Sequence, residues 1–519
     1  MKSIHAKITA SSAVNNKIFI VIGIAIVLIG IQLRLNGLAC SFEYDEIWTI
    51  QNWLPLSWWR ILTEFSAPNN HPLNSLSMKL FTLHSPGNII LLRLPNLICG
   101  IALMPLVYFL AKMLTANRQI ALLSMALTTF HPGLIYYSHC ARGYSMVTFW
   151  VILFTFLSYY CILKYDELKT KQRYLLVVAL IISMVASCMT FCASILFIAP
   201  IMIIHCVFLI KKYWQSKGII ETLKVMIINN KELICAWLIM TVFAFWLYAG
   251  HYQEFQKGTA IASGVTVNSF SSFIKFADQL FPKLLFWSIL PLVFIPIFDK
   301  RYAKLFYCFC FIIIFSFISI IFAKGGPPRA YLPSLPLMFI LAACGISIIS
   351  KILLSLFKSE NKNLIFALSC VLVAVAIIPA MHASKWAPVD WFKSFDSIKK
   401  ISRKVMLVYG SCETFPLAYN INTQVYIDNF RRINAIRSGQ QIIFVNIPNQ
   451  TINGSNPQGS ERAYKITEKG KAVRIGDLPS TVYILKKITP QSNIKNKTLL
   501  AVIPFILLQQ KNAIMKYLI

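Results

Sequence analysis

The sequence predicts an all-α polytopic membrane protein with about eleven transmembrane helices and a small α/β C-terminal domain on the outer face of the membrane. Two observations support this fold class. The 519 residues are 57% hydrophobic and only 13% charged, which is too apolar for an ordinary soluble globule. In addition, many apolar runs approach the length of about 20 residues that a helix needs to cross a bilayer while satisfying its own backbone hydrogen bonds.

The first apolar run, residues 18 to 31, follows Lys2, Lys7 and Lys17 and leads into polar residues without a small-residue cleavage site. We therefore expect a retained first helix and no cleaved signal peptide. Ten further runs follow it. The eleven predicted spans are centred near Gly23, Ile101, Met125, Phe154, Ala179, Ile201, Trp237, Leu290, Ile314, Leu341 and Val371.

The loops between these runs alternate in their content of basic residues. Lysine and arginine are concentrated in residues 112–118, 164–173, 211–231, 300–304 and 351–362. Because cytoplasmic loops carry an excess of Lys and Arg, we place this set inside. The outward-facing set is then 36–88, 131–144, 250–283 and 324–333. Topology also explains most of the formal net charge of +31, so the basic composition does not call for a nucleic-acid partner.

An odd number of spans places the polar tail on the outer face. We divide the chain into a transmembrane domain, 1–383, and a soluble domain, 384–519. The tail has alternating or β-branched runs at 405–409, 441–447 and 481–485, separated by polar turns, and these runs predict the strands of a small α/β domain.

Three carboxylates, Glu43, Asp45 and Glu46, follow the first span on the predicted outer side. A solvated loop would explain them as well as a functional site does. Acidic residues are scarce, however: the whole chain has 19, and three of them fall within four positions at one membrane face. This concentration favours a functional role.

Four more motifs lie on the same predicted side. They are Asn69-Asn70-His71-Pro72, Leu92-Arg93-Leu94-Pro95, the 131–144 segment with His139, Arg142 and Tyr144, and the 324–336 segment with Lys324, Arg329 and Tyr331. Taken singly, each is explained by anchoring at the membrane interface, where arginines snorkel and tyrosines form a belt. Their shared sidedness predicts that they converge with the carboxylates in one cavity.

The order of these motifs resembles the GT-C glycosyltransferases. The resemblance covers roughly residues 15 to 350 and is to bacterial relatives of protein O-mannosyltransferases, lipid A aminoarabinose transferases and lipopolysaccharide galacturonosyl and mannosyl transferases. It implies transfer of a sugar from a polyprenyl-phosphate donor to an envelope lipid, glycan or protein acceptor on the outer face, with inversion. By resemblance, Asp45 is the general base or a ligand to a divalent metal, and Glu46 supports it; the cofactor itself stays unknown.

The basic and aromatic residues then form the substrate-binding set. We expect Arg142, Arg329 and Lys324 to hold the donor phosphate, since a carboxylate base and cations around a leaving phosphate suit this chemistry. Arginine is favoured because its planar fork matches two phosphate oxygens. Tyr144 and Tyr331 would line the lipid-sugar pocket, and His71 would bind sugar or phosphate. Arg93 and His139 complete the predicted set.

One departure from the family pattern is visible in the sequence. Relatives commonly carry Gln-Glu before the Ala-Arg-x-Tyr element, where this chain has His139 and Cys140. A second acid is therefore missing, which puts metal binding in question. Two other classes stay open: a transporter or flippase for a lipid-linked sugar, and a non-catalytic membrane scaffold that presents the tail. For the transferase we expect a bacterial plasma membrane location, with the N-terminus cytoplasmic and the C-terminal domain periplasmic.

Overall fold

The computed structural model describes residues 2–40, 44–65, 70–85, 88–214, 218–251, 253–254, 283–322, 328–359, 361–382, 407–408, 441–446, 464–468 and 481–487. The chain divides into two compact units. One contains residues 1–38 and 52–384, and the other contains residues 39–51 and 385–519. The domain division drawn from the sequence, 1–383 and 384–519, stays a prediction.

Sixteen α-helices are found in the part of the chain that the structure describes. In chain order they are α1 Lys2–Leu35, α2 Tyr44–Asn52, α3 Trp58–Thr63, α4 Pro72–Phe81, α5 Ile89–Thr115, α6 Arg118–Phe130, α7 Pro132–Ser138, α8 Tyr144–Lys164, α9 Thr170–Thr190, α10 Ile195–Tyr213, α11 Ile219–Asn229, α12 Lys231–Gly250, α13 Lys283–Phe294, α14 Lys300–Phe322, α15 Leu335–Leu356 and α16 Lys362–His382. Short 3₁₀ turns occur at Tyr165–Glu167, Cys192–Ser194, Ile295–Phe298 and Pro328–Ser334.

All eleven predicted span centres fall on helices. Among the described residues, eight helical segments are long and apolar enough to cross a membrane, or nine if the bent pair α6 and α7 counts as one span. The eight include α1, α5, α8, α9, α10, α12, α15 and α16. The other three centres lie on α6, α13 and α14. Within the described residues α6 and α13 have 13 and 12 residues, so neither reaches spanning length alone.

The break between α6 and α7 has a local cause. Pro132 has no backbone N–H to continue α6, and the same proline suits the first position of a new helix. His131 lies between the two helices, and its Nδ1 accepts a hydrogen bond of 3.3 Å from the backbone N–H of Leu134. The chain bends by 61° between the two helices. The 131–144 segment, predicted as a short turn, is therefore a helix followed by a tight turn at residues 139–143.

The transmembrane unit is built around α5. This helix packs against α4, α6, α7 and α8, and its first turn is capped by the Asn88 side chain, which accepts from the backbone N–H groups of Ile90 and Leu91. The second strongly buried helix, α15, packs against α6 and α13. By contrast, α1 leaves one face exposed, with Ile20, Val21 and Leu28 all more than half exposed, as a lipid-facing helix requires.

The other unit contains α2 and a four-stranded sheet. The strands are β1 Leu407–Val408, β2 Gln441–Asn446, β3 Tyr464–Glu468 and β4 Thr481–Lys487, in the order β1-β2-β4-β3. β1 pairs parallel with β2, while β4 pairs antiparallel with β2 and β3. The three strands predicted from the sequence are confirmed as β1, β2 and β4, and β3 was missed.

Candidate functional site

The predicted catalytic pair lies at the start of a helix. Asp45 and Glu46 occupy the first turn of α2, where the helix dipole favours negative charge. The Glu46 side chain is fully buried and Asp45 is half-buried. The Thr49 hydroxyl donates a 3.0 Å hydrogen bond to the Asp45 backbone carbonyl and fixes this turn. Both acids belong to the unit formed by residues 39–51 and 385–519.

In the described part of the chain, no three His, Cys, Asp or Glu side chains lie together in a way that could hold a divalent metal ion. The third predicted carboxylate, Glu43, lies outside the described residues. Asp45 as a metal ligand stays a prediction, and no step below is routed through a metal.

Tyr144 is the centre of the predicted substrate-binding residues in the transmembrane unit. Its hydroxyl oxygen accepts a 2.8 Å hydrogen bond from Arg329 Nε and a 3.3 Å hydrogen bond from Arg142 Nη2. The two guanidinium carbons also lie 5.7 and 5.5 Å from the centroid of the Tyr144 ring. Residues 185 positions apart in sequence are thus brought to one phenol.

This arrangement concentrates positive charge. Arg142 is almost completely buried, in the turn between α7 and α8, and Arg329 is half-buried in the 3₁₀ turn that precedes α15. A phenol oxygen is neutral, so it aligns the two cations without neutralising them. Two guanidinium groups held this way in a partly dehydrated site stabilise an anion, because electrostatic interactions strengthen as water is excluded.

His71 packs against the same ring. It precedes α4, whose first residue is Pro72, and its ring meets Tyr144 edge-on at 5.1 Å between centroids. Its Nδ1 donates a 2.8 Å hydrogen bond to the backbone carbonyl of Thr190, at the end of α9. The prediction that His71, Arg142, Tyr144 and Arg329 lie close together thus agrees with the geometry, while their roles in binding stay predictions.

Arg93 and His139 are two more buried residues of the predicted set. Arg93 is buried in the second turn of α5 and donates a 2.9 Å hydrogen bond to the Leu38 carbonyl. Burial, and to a smaller extent the charges of Arg93 and Arg34, lower the pKa of His139 to about 3. His139 is therefore neutral at physiological pH, so it supplies no positive charge to a bound anion. Its ring lies against Gly37.

Arg34, in the last turn of α1, is a buried residue that was not among the predicted site residues. Its side chain is fully buried, and Nε donates to the Ser138 hydroxyl at 3.2 Å. Nη1 donates to the backbone carbonyls of Gly30 at 3.0 Å and Thr129 at 3.1 Å. Thr129 lies in the last turn of α6, where the break at Pro132 removes the usual helical donors. A charged residue inside an apolar run is the signal that could have found it.

Two predicted residues remain. Tyr331 is buried in the same 3₁₀ turn as Arg329. Lys324 lies outside the described residues. Neither observation assigns these residues a role.

One family model and several solved structures resemble this chain. The family model for dolichyl-phosphate-mannose-protein mannosyltransferase matches residues 68–258, just over a third of the chain. The crystal structure of ArnT from Cupriavidus metallidurans in the apo state aligns with a TM-score of 0.54 at 12% identity, over 91% of this chain and 98% of that chain.

The chain has the GT-C fold. The crystal structure of ArnT bound to undecaprenyl phosphate aligns with a TM-score of 0.51 at 12% identity, over 90% of this GT-C chain and 97% of that chain. The archaeal oligosaccharyltransferase AglB from Archaeoglobus fulgidus aligns with a TM-score of 0.46 at 11% identity, over 80% of this chain and 65% of that chain. No curated protein sequence matches significantly. The superfamily resemblance predicted from the sequence is confirmed, and the protein is a multi-pass membrane protein.

Proposed function

We propose that this GT-C chain transfers a sugar from a polyprenyl-phosphate donor to a lipid, glycan or protein acceptor of the cell envelope. The reaction takes place at the outer face of a bacterial plasma membrane and inverts the anomeric carbon. The observation that carries this proposal is the convergence of Arg142 and Arg329 on the Tyr144 hydroxyl.

The donor phosphate is the chemical group that fits this pair of arginines. When the sugar leaves, the bridging phosphate oxygen gains negative charge, and fixed cations stabilise that charge most where water is excluded. Guanidinium groups suit phosphate because their planar forks bind two oxygens at once. The related ArnT structure that contains undecaprenyl phosphate supports the same class of donor.

Asp45 is the general base of the proposed reaction. The acceptor hydroxyl oxygen attacks the anomeric carbon, the bond from that carbon to the phosphate oxygen breaks, and the hydroxyl proton passes to the Asp45 carboxylate. Polyprenyl phosphate leaves on the opposite face of the sugar, so one displacement inverts the configuration. Glu46 supports Asp45, and His71, Arg93, Lys324, Tyr331 and His139 complete the substrate-binding set as positioning or lining residues.

A binding experiment tests the anion site directly. Full-length protein in lipid nanodiscs is titrated with undecaprenyl phosphate, and Arg142→Gln is compared with wild type. Because hydrogen bonds that involve a charged group contribute about 1.5–3 kcal/mol, we expect the dissociation constant to rise about tenfold to a hundredfold.

Arg301→Gln is the matched control. Arg301 lies in the first turn of α14, in a segment that the sequence assigns to the cytoplasmic side; its exposed side chain pairs with Asp299. The Arg301→Gln protein should bind undecaprenyl phosphate with the affinity of wild type. Equal affinities for all three proteins would contradict the anion site.

A transfer assay tests the reaction itself. The same preparations are incubated with polyprenyl-phosphate hexoses and pentoses and with lipid, glycan and peptide acceptors. Asp45→Asn should bind the donor but transfer no sugar, and transfer at the wild-type rate by this variant would refute its role as base. Movement of labelled lipid across the membrane without transfer would identify a flippase instead.

A further inference from the structure

Two fully buried asparagines connect α4 and α5 to the turn that carries Arg142. The Asn96 side chain, on α5, donates a 2.6 Å hydrogen bond from Nδ2 to Asn74 Oδ1, on α4. Asn74 Nδ2 in turn donates to Met78 Sδ at 3.1 Å and to the backbone carbonyl of Ala141 at 3.4 Å. Ala141 immediately precedes Arg142. A continuous chain of amide groups therefore runs from α5 to the backbone of the proposed phosphate-binding turn.

The turn is packed tightly onto the same part of α4. A Cβ atom added at Gly143 would lie 3.3 Å from Asn74 Cβ, 3.2 Å from His71 Cβ and 2.8 Å from Thr190 Cγ2. A side chain at this position would therefore require Thr190 to shift. The turn on either side of Arg142 is thus in contact with α4, through Ala141 on one side and Gly143 on the other.

The Asn96 side chain determines which way the Asn74 amide faces. A side-chain amide has a donor end and an acceptor end, and the surrounding hydrogen bonds decide which way it faces. With its oxygen held by the Asn96 donor, Asn74 must turn its NH₂ group towards Ala141. A rotated Asn74 would instead present its oxygen to the Ala141 carbonyl, and two acceptors in a buried site repel each other.

We propose that Asn96 is a positioning residue for the donor phosphate: its NH₂ group sets the orientation of Asn74, which holds the turn at Ala141 and so fixes Arg142. Asn96 itself contacts no reacting group. This inference rests on the proposed function for its consequence in binding, while its structural part, the placement of the turn, stands on the contacts within the transmembrane unit.

Asn96→Asp is the sharpest test, because it keeps the shape of the side chain and changes its hydrogen bonding. The ionised carboxylate can only accept, so it recruits the NH₂ group of Asn74 and turns the Asn74 oxygen towards Ala141. The protonated carboxyl group can donate as the native amide does. We therefore expect a defect that appears as pH rises through the pKa of the introduced group and disappears below it.

Two readouts are compared with wild type at each pH between 5 and 8.5. Hydrogen exchange of the peptide that covers residues 139–144 reports the turn, and titration with undecaprenyl phosphate in nanodiscs reports the anion site. At the upper end of the range we expect exchange about tenfold faster and affinity about tenfold weaker for Asn96→Asp. The ratio to wild type removes the titration of groups common to both proteins on α4, α5 and the turn, which include His71, Arg93, His139 and Arg142.

Asn96→Leu removes the donor without adding a charge, and it keeps the test decisive if Asn96→Asp does not fold. Its defect should be the same at every pH. Asn230→Asp is the matched control: Asn230 is also fully buried, but it precedes α12 and donates to the Met226 carbonyl. It should change neither readout.

The outcomes separate the two claims. Wild-type exchange and wild-type affinity in both Asn96 variants would overturn the positioning role, and so would faster exchange with unchanged affinity, which would make the pair a purely structural link. If wild type itself does not bind undecaprenyl phosphate, the proposed function fails, and the exchange of residues 139–144 still decides whether Asn96 fixes the turn.

Discussion

Replacing Tyr144 with phenylalanine removes one oxygen atom and leaves the packing in place. The His71 and Tyr137 rings meet the Tyr144 ring edge-on at 5.1 and 4.9 Å between centroids, and a phenylalanine ring preserves both contacts. The guanidinium groups of Arg142 and Arg329 also keep their position near the ring face. What is lost is the acceptor that aligns the two guanidinium groups.

The size of the effect follows from the two hydrogen bonds. The bond from Arg329 at 2.8 Å is short and charge-assisted, while the bond from Arg142 at 3.3 Å is long and contributes less. Hydrogen bonds to charged groups contribute about 1.5–3 kcal/mol each, so the loss of one strong bond predicts a dissociation constant for undecaprenyl phosphate about ten to a hundred times higher. The fold should be retained.

Tyr165→Phe is the matched control for this substitution. Tyr165 is equally buried, its hydroxyl donates to Glu232 at 3.0 Å, and the Arg173 guanidinium lies 4.9 Å from its ring. It lies just beyond the other end of α8, about 30 Å from Tyr144 at 1.5 Å per residue. The reasoning is refuted if titration in nanodiscs gives Tyr144→Phe the affinity of wild type and of Tyr165→Phe.

Two further predictions concern stability. Gly143→Ala should lower the free energy of unfolding by about 1–3 kcal/mol, because the new Cβ atom would lie 2.8 Å from Thr190 Cγ2. Adding Thr190→Ser removes that methyl group and should restore part of the thermal midpoint; no recovery would contradict the steric argument. In the folded chain the pKa of His139 is lowered to about 3, so as pH falls His139 is protonated in the unfolded chain before it is protonated in the folded chain. The stability due to neutral His139 is thus present above pH 6.5 and lost below it, by up to about 2 kcal/mol at pH 5. His139→Gln should lack this slope in thermal unfolding, and identical slopes would contradict the assignment.

The helices were predictable because their signal is strong. Long apolar runs between basic loops must be helical in a bilayer, and all eleven predicted centres lie on helices. The break at Pro132 was less visible, since the apolar character continues through α7 and only the proline marks the change. β3 was missed for a related reason: Tyr464–Glu468 is five residues long and contains Lys465 and Glu468, so its apolar pattern is weak.

Some residues of the candidate site were also predictable from the sequence, and others were not. Arg142, Tyr144 and Arg329 were predicted because they belong to compact motifs on one predicted side of the membrane, and charge patterns reveal sidedness. Asn74 and Asn96 were not predicted. A neutral amide inside an amphipathic or apolar helix looks the same in sequence whether it faces a partner or a loop. Only the packing of α4 on α5 shows that the Asn96 amide donates to the Asn74 side-chain oxygen.

The buried arginines of the transmembrane unit differ in what they bind, and this difference separates structural roles from a functional one. Removing a guanidinium group from water is costly unless strong hydrogen bonds compensate. Two of the three hydrogen bonds described for Arg34 go to backbone carbonyls, and one of these carbonyls lies where α6 ends and helical donors are missing, so a role in the fold accounts for this arginine.

Arg142 and Arg329 are arranged differently, since both donate to one neutral hydroxyl and lie near the same ring. Mutual repulsion between the two guanidinium groups works against this arrangement, and an anion placed with them would reverse the sign of that interaction. The site is therefore expected to be more stable with a phosphate bound than without one.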